Sequence, residues 1–122
     1  MQAIWIEFPA KDVERALRFY ETVFGLQSTE IVDDGVRRVA TLVNANEAGR
    51  PGVSLNQTSN FEPCDHGALA YLAAGEDLSA CLARVEPAGG AIVEPKTSMG
   101  PAGFYATVRD TEGNVFALYS PK

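Results

Sequence analysis

Apolar residues in the first part of the chain follow two periods, one typical of a strand and one of a helix. The bulky run Ile4–Phe8, closed by Pro9, predicts a strand. A helix is expected next, with Asp12 as its N-cap and Gly25 at its end. Its apolar stripe recurs at three- and four-residue spacing, at Val13, Ala16, Leu17, Tyr20 and Phe24.

The rest of the chain repeats this order of elements. Strands are predicted near 27–32, 37–43 and 52–57, and then again near 69–73, 91–94, 104–109 and 115–119. A second helix is expected after Asp77 and before Gly90. These two residues follow Asp12 and Gly25 by the same 65 positions, which indicates an internal duplication.

The repeat predicts an α+β fold built from tandem βαβββ modules, with the helices on the outer face of a concave mixed sheet. We expect one domain over residues 1–122, with module 1 at about 1–57, a linker at about 58–66 and module 2 at about 67–122. The concave surface is the expected small-molecule site. The alternative is a cleft filled by side chains that serves only as a dimer contact.

Charge and composition narrow the function classes. The chain has 16 acidic and 10 basic side chains, a net charge of −6, and its basic residues are scattered. This argues against binding of DNA or RNA, which requires a dense cationic face. Because no apolar run approaches about 20 residues, we expect no membrane span and a soluble, cytoplasmic protein. Cys81 is expected in the core and Cys64 in an exposed loop.

Two motifs resemble the vicinal oxygen chelate superfamily, which contains glyoxalase I, bleomycin-resistance proteins and extradiol dioxygenases. One is the segment Asp12–Tyr20, followed by Phe24-Gly25, and the other is the turn Arg109–Asn114 before the last strand. The resemblance spans nearly the whole chain. It implies the glyoxalase/bleomycin-resistance/dihydroxybiphenyl dioxygenase fold, in a small single-domain glyoxalase-like member. The Asp110–Asn114 turn is expected to be structural, with Gly113 supplying a positive φ.

Enzymes of that family use a divalent metal that polarises vicinal oxygen atoms of the substrate. The resemblance places its four ligand positions at Trp5, Ala70, Ala117 and about Ser54. Tryptophan and alanine side chains are not metal ligands, and a serine hydroxyl is a poor one. We therefore expect no metal and no other cofactor. The single histidine, His66, is expected to face solvent at the end of the linker.

Strand alternation then predicts what lines the cleft. The candidate ligand-binding residues are Trp5, Glu7, Ser54, Asn56, Ala70, Leu72, Tyr105, Ala117 and Tyr119. Trp5 offers a surface for stacking. Glu7 is the candidate catalytic residue, as a general base or a hydrogen-bonding anchor. The structural alternative pairs Glu7 with Arg37 or Arg38. The loop 96–103 is either a flap over the cleft or a plain connection.

These observations favour a metal-free protein that binds a small amphipathic or aromatic molecule, comparable to the bleomycin-resistance proteins. One alternative is a metal-dependent or Glu7-dependent lyase, isomerase or dioxygenase of the same superfamily. Another is an accessory subunit whose cleft holds a partner. A homodimer is expected, because two modules leave sheet edges and apolar surface that a twofold partner would cover.

Overall fold

The computed structural model of the chain describes residues 1–46 and 48–122. It contains two α-helices, eight strands and one 3₁₀ turn, Gly100–Ala102, within that part of the chain. The helices are α1 (Val13–Phe24) and α2 (Ser79–Val85). The strands are β1 (Trp5–Pro9), β2 (Ile31–Asp33), β3 (Arg38–Val43), β4 (Gly52–Gln57), β5 (Tyr71–Ala73), β6 (Ala91–Ser98), β7 (Phe104–Arg109) and β8 (Val115–Ser120).

The strands form two mixed sheets of four, in the orders β1-β4-β3-β2 and β5-β8-β7-β6. Strand β1 pairs in parallel with β4, and β5 pairs in parallel with β8. The remaining pairs are antiparallel. The predicted α+β fold with tandem βαβββ modules is therefore confirmed. The two sheets repeat one topology, which is what an internal duplication produces.

Helix α1 begins and ends where local sequence signals predict. The Asp12 carboxylate accepts a hydrogen bond from the Arg15 backbone N–H, and Gly25 adopts φ 66° at the C-terminal end. The predicted stripe is buried apart from Phe24, which is partly buried, and Phe19 and Val23 join it. Gln57, at the end of β4, adds a second cap by accepting a hydrogen bond from the Val13 N–H at 2.9 Å.

The second half departs from the predicted boundaries in two places. Helix α2 begins at Ser79, although the Asp77 carboxylate still accepts a hydrogen bond from the Ser79 N–H at 2.9 Å. Strand β6 continues to Ser98, so the first part of the predicted flap is strand. The Tyr119 hydroxyl donates to the Ala102 carbonyl at 2.7 Å and ties down the remainder. This hydrogen bond holds the end of the loop against β8.

One hydrophobic core joins the two modules. Phe116 of β8 lies against Phe8 of β1 and against Tyr20 of α1, with ring centroids 6.1 and 5.5 Å apart. Cys81 is buried in the same core, as predicted, and Cys64 is exposed. Because aromatic rings from both modules share this core, neither module buries its apolar face alone.

The turn between β7 and β8 is held by the Asp110 carboxylate. Its Oδ1 accepts hydrogen bonds from the backbone N–H groups of Glu112, Gly113 and Asn114, and Gly113 has φ 104°. The predicted structural role is confirmed. The turn also reaches module 1, because Asn114 Nδ2 donates to the Pro9 carbonyl at 2.8 Å.

Glu112 is a second link between the modules. Its carboxylate is buried and accepts from the backbone N–H groups of Lys11 and Asp12, each at 2.9 Å. Arg15 adds two hydrogen bonds, at 2.8 and 3.0 Å, and the Thr111 hydroxyl adds one at 2.8 Å. The start of α1 is therefore positioned by a residue from the other half of the chain.

No helix in the described residues is long and apolar enough to cross a membrane.

Candidate functional site

A polar cluster lies on the face of the first sheet that points away from the helices. Strands β1 and β4 run in parallel and place Trp5 beside Gly52, Glu7 beside Ser54 and Pro9 beside Asn56. Alternate residues of the same strands, such as Phe8 and Leu55, point into the core. The pleat therefore brings four predicted site residues together, namely Trp5, Glu7, Ser54 and Asn56.

Hydrogen bonds connect these four side chains in one chain. Trp5 Nε1 donates to Ser54 Oγ at 3.0 Å, and Ser54 Oγ donates to Glu7 Oε2 at 3.4 Å. Asn56 Nδ2 donates to Glu7 Oε1 at 3.0 Å. Ser54 and Asn56 are buried, whereas Trp5 and Glu7 are exposed. The buried pair thus fixes a carboxylate and an indole ring at the surface.

Gly52 allows the indole to lie where it does. A Cβ atom at this position would fall well inside van der Waals contact with the six-membered ring of Trp5. Gly52 was not among the predicted site residues. The signal that could have found it is a glycine within a predicted strand, which often marks a close approach of another group.

The arginines predicted as alternative partners of Glu7 form ion pairs with other carboxylates. Arg38 forms ion pairs with Glu14 and with Asp33, and Arg37 lies 3.6 Å from Asp34. The hydrogen bond from Arg38 lowers the pKa of Glu14 to about 2. The predicted pairing of Glu7 with Arg37 or Arg38 is therefore wrong. Both arginines find acidic partners on the β2–β3 hairpin or at the start of α1.

A cavity of about 460 Å³ adjoins Glu7. It lies between β1, the start of β8 and the linker, and both Glu7 and Ala70 line it. The linker contributes Phe61, Glu62 and Asp65, which could not be predicted as lining because the segment has no periodicity. His66 also lines the cavity and is exposed, as predicted.

The second sheet carries the other predicted site residues away from this cavity. Tyr105 pairs with Tyr119, and Ala117 pairs with Tyr71, so that these residues share one face of the sheet, on which Ala117 is completely buried. The neighbouring Glu94 raises the pKa of the Tyr105 phenol. None of Tyr105, Ala117 and Tyr119 is among the described residues that line the cavity.

The predicted facing of Ala70 and Leu72 is wrong. Both side chains pack against the core, and Leu72 pairs with the buried Leu118. Tyr71, which is 52% exposed, takes the outward position instead. The prediction counted back from Asp77 as from Asp12, but Asp77 follows the last residue of β5 by four positions, whereas Asp12 follows the last residue of β1 by three. A shift of one residue turns every side chain of the strand to the other face. The longer connection shifts the register.

A larger, more open hollow of about 540 Å³ lies near the β2–β3 turn and the end of β4. Its charged lining includes Arg38 and Asp33, whose Nε and Oδ2 atoms lie 3.6 Å apart. Because these charges already satisfy each other, this hollow offers a ligand less than the cavity beside Glu7 does.

The donor atoms at the four family ligand positions do not fit a divalent metal. The Trp5 nitrogen carries a hydrogen that it donates to Ser54, and the Ala70 and Ala117 side chains have no donor atom. Counting from the strand ends, Trp5 corresponds to Leu69, which is not a ligand either. The described residues contain no group of three His, Cys, Asp or Glu side chains placed to hold a metal ion.

A comparison with protein-family models identifies a family. The family model described as Glyoxalase/Bleomycin resistance protein/Dioxygenase superfamily matches residues 2–118. A comparison with curated proteins finds no match.

Among solved structures, glyoxalase I from Zea mays superposes with a TM-score of 0.74 at 20% identity, over 98% of this chain and 44% of that one. A hypothetical protein from S. aureus gives 0.69 at 21% identity, over 98% and 94% of the two chains. A family enzyme from Burkholderia phytofirmans gives 0.68 at 15% identity, over the full length of both chains. At these identities the likeness shows a shared fold.

Proposed function

The chain belongs to the Glyoxalase/Bleomycin resistance protein/Dioxygenase superfamily, and we propose that it binds a small planar or amphipathic organic molecule without a metal ion. The ligand would lie against Trp5 and Glu7 and extend into the adjoining cavity of about 460 Å³. Such a role corresponds to the bleomycin resistance proteins that the family description includes.

The observation that carries the proposal is the fixed pair of an exposed indole and an exposed carboxylate. Trp5 is 44% exposed, and its ring edge is anchored through Nε1 to Ser54. An aromatic ring that is held in place offers contact area at little cost in conformational entropy. The lining next to it is mainly apolar, with Phe61, Leu69 and Val115 among its residues, and it has a few polar groups. This is the composition of small-molecule sites in general.

Thermal denaturation with a ligand panel tests this proposal. The panel holds cationic, neutral and anionic aromatic compounds, and each is added to protein in excess chelator. A ligand present at 100 times its dissociation constant stabilises the folded state by about 2.7 kcal/mol. We expect at least one compound to raise the melting temperature of the wild type.

Two variants locate the binding. Trp5→Ala removes the stacking surface and should abolish the stabilisation. Val36→Ala, at a more exposed apolar position in the β2–β3 turn, should leave it unchanged. If no compound in the panel shifts the transition, or if Trp5→Ala responds like the wild type, the proposed function is wrong.

A metal-independent lyase or isomerase reaction with Glu7 as base is the second candidate. It is favoured by the exposure of Glu7 and by the two donors that fix its orientation. Compounds found by the panel would be incubated with the protein and examined for conversion by mass spectrometry. Conversion by the wild type that Glu7→Gln does not slow would contradict this role for Glu7.

We also propose that the protein forms a homodimer. Strands β2 and β6 are edge strands of their sheets, and exposed apolar residues such as Val32, Val43 and Val93 lie on or beside these elements. Such surfaces are usually covered by a partner. Light scattering should report about twice the 13.1 kDa chain mass, and a monomer mass at every concentration would contradict this.

A further inference from the structure

All hydrogen bonds in the cluster around Glu7 are donated towards its carboxylate. Ser54 and Asn56 both donate to the Glu7 carboxylate, and Trp5 donates to Ser54. Ser54 and Asn56 therefore hold the Glu7 carboxylate with donor groups, and the carboxylate lone pairs that remain at the surface can only accept further hydrogen bonds. A ligand group at Glu7 must bring its own N–H or O–H donors, because a carboxylate has none.

Asn56 adds a second, independent acceptor. Its Nδ2 faces Glu7 Oε1, so the orientation of the amide is set by that hydrogen bond. Its Oδ1 is buried and has no hydrogen-bond partner among the described residues, and the residue as a whole is 2% exposed. An unsatisfied buried carbonyl oxygen is costly, and a donor brought next to Glu7 would be the group to satisfy it.

The charge around the cavity has the same sign. Glu7, Glu62 and Asp65 line it, and no lysine or arginine is among the described residues of its lining. Asp65 is partly compensated, because Arg109 approaches it from outside at 3.7 Å and the ring of His66, also in the lining, lies 3.3 Å from it. Among the described residues of the lining, this leaves Glu7 and Glu62 as the carboxylates without an ion pair. Glu7 itself forms no ion pair within the described part of the chain, since Arg37 and Arg38 are paired with other carboxylates. A free carboxylate in an acidic cavity attracts cations.

From these three observations we propose that the ligand is an organic cation with N–H donors, an ammonium, amidinium or guanidinium group on a planar apolar body. The proposal rests on the proposed function and specifies its ligand class. The cationic group donates to Glu7, and the planar body lies against the Trp5 indole, where the ring face also favours positive charge.

Three probes of the same shape test this ligand class. Benzamidinium, benzamide and benzoate share a planar phenyl body and differ in charge. Trp5 is the only tryptophan in the chain, so its fluorescence reports binding at this position alone. We expect benzamidinium to bind about ten- to a hundredfold more tightly than benzamide, which is the range for a charge-assisted hydrogen bond, and benzoate to bind most weakly.

Salt gives an independent measurement on the unmodified protein. Raising the ionic strength should weaken benzamidinium binding and leave benzamide binding unchanged, because only the first involves a charge pair. This arm does not depend on any variant folding. Equal salt dependence of the two probes would overturn the inference.

Glu7→Gln should bring the affinity for benzamidinium down to that for benzamide. Glu30→Gln is the matched control, because it removes one negative charge from an exposed position before β2 and should preserve the discrimination. Circular dichroism would confirm that both variants are folded.

The outcomes separate the two proposals. If all three probes bind equally, or if the panel finds only neutral or anionic ligands, the cleft binds small molecules and the cationic preference is wrong. If neither the probes nor any panel compound binds, both proposals are wrong. Preference for benzamidinium that Glu7→Gln removes and Glu30→Gln retains supports both.

Discussion

Replacement of Glu112 by glutamine should destabilise the protein more than any other single charge removal discussed above. The Glu112 side chain is fully buried, and five donors converge on its carboxylate, from the Lys11 and Asp12 backbones, twice from Arg15, and from the Thr111 hydroxyl. In Glu112→Gln, one oxygen becomes an N–H₂ group that faces donors. Part of the link between the modules is thereby broken.

The size of the expected loss of stability follows from the burial of the Glu112 carboxylate. Removing one partner of a buried charge pair costs about 3 to 5 kcal/mol. Arg15 is 45% exposed and can turn towards water, which softens the loss. We therefore expect a decrease of about 2 to 3 kcal/mol in the free energy of unfolding, out of a total of about 5 to 15. For a chain of this size that corresponds to a fall of about 10 °C in the melting temperature.

The same residue predicts a pH dependence. Burial is the largest influence on the Glu112 carboxyl and opposes its ionisation. The hydrogen bonds from Arg15, the Asp12 backbone and Thr111 together outweigh it and lower the pKa below 4.5. A carboxyl whose pKa is lower in the folded state stabilises the protein above its unfolded pKa, and this contribution disappears as the pH falls through the folded pKa. The difference between wild type and Glu112→Gln should therefore be largest near neutrality and shrink in acid.

Urea denaturation at several pH values, followed by circular dichroism, measures both effects. Glu30→Gln, the same charge change at an exposed site, serves as the control and should stay within about 0.5 kcal/mol of the wild type. A loss in Glu112→Gln no larger than this control, or a difference that stays constant from neutral pH into acid, would refute the reasoning.

Three further substitutions test other parts of the structure. Gly52→Ala should displace the Trp5 ring and break its hydrogen bond to Ser54, which a changed tryptophan emission maximum would report; an unchanged spectrum would contradict the packing described. Tyr20→Phe removes the buried 2.7 Å hydrogen bond to Asp110 and should cost about 1 to 2 kcal/mol in urea denaturation, so a neutral effect would be unexpected. Asp12→Ala removes the α1 cap and should cost about 1 kcal/mol, visible as a lower melting temperature; no change would mean that other groups cap this helix.

Local signals in the sequence were sufficient to predict the helices and strands. Asp12, Gly25 and the stripe between them define α1 without reference to the rest of the chain, and the repeat after 65 residues extends the interpretation to the second module. The orientation of Trp5, Glu7, Ser54 and Asn56 could also be predicted, because strand alternation is a local rule.

What could not be predicted depends on distance along the chain or on loop length. Glu112 meets Arg15 across 97 residues, and nothing near either position indicates that pairing. Leu72 was assigned to the wrong face because the connection after β5 is longer than the one after β1. Arg37 pairs with Asp34 and Arg38 with Asp33, because the β2–β3 turn brings these carboxylates closer to the arginines than Glu7 is. The geometry of that turn could not be predicted from the sequence pattern.

The central claim is that this member of the family binds its ligand through Trp5 and Glu7 without a metal ion. Calorimetric titration of untagged protein, purified without chelator, with Zn²⁺, Ni²⁺, Mn²⁺ and Fe²⁺ tests that claim most directly, together with the metal content of the starting material. The donor set around Trp5, Ser54 and Glu7 predicts substoichiometric metal and no binding heat. Near-stoichiometric metal, or tight binding that Glu7→Gln abolishes, would contradict the account and show that these side chains assemble a metal site.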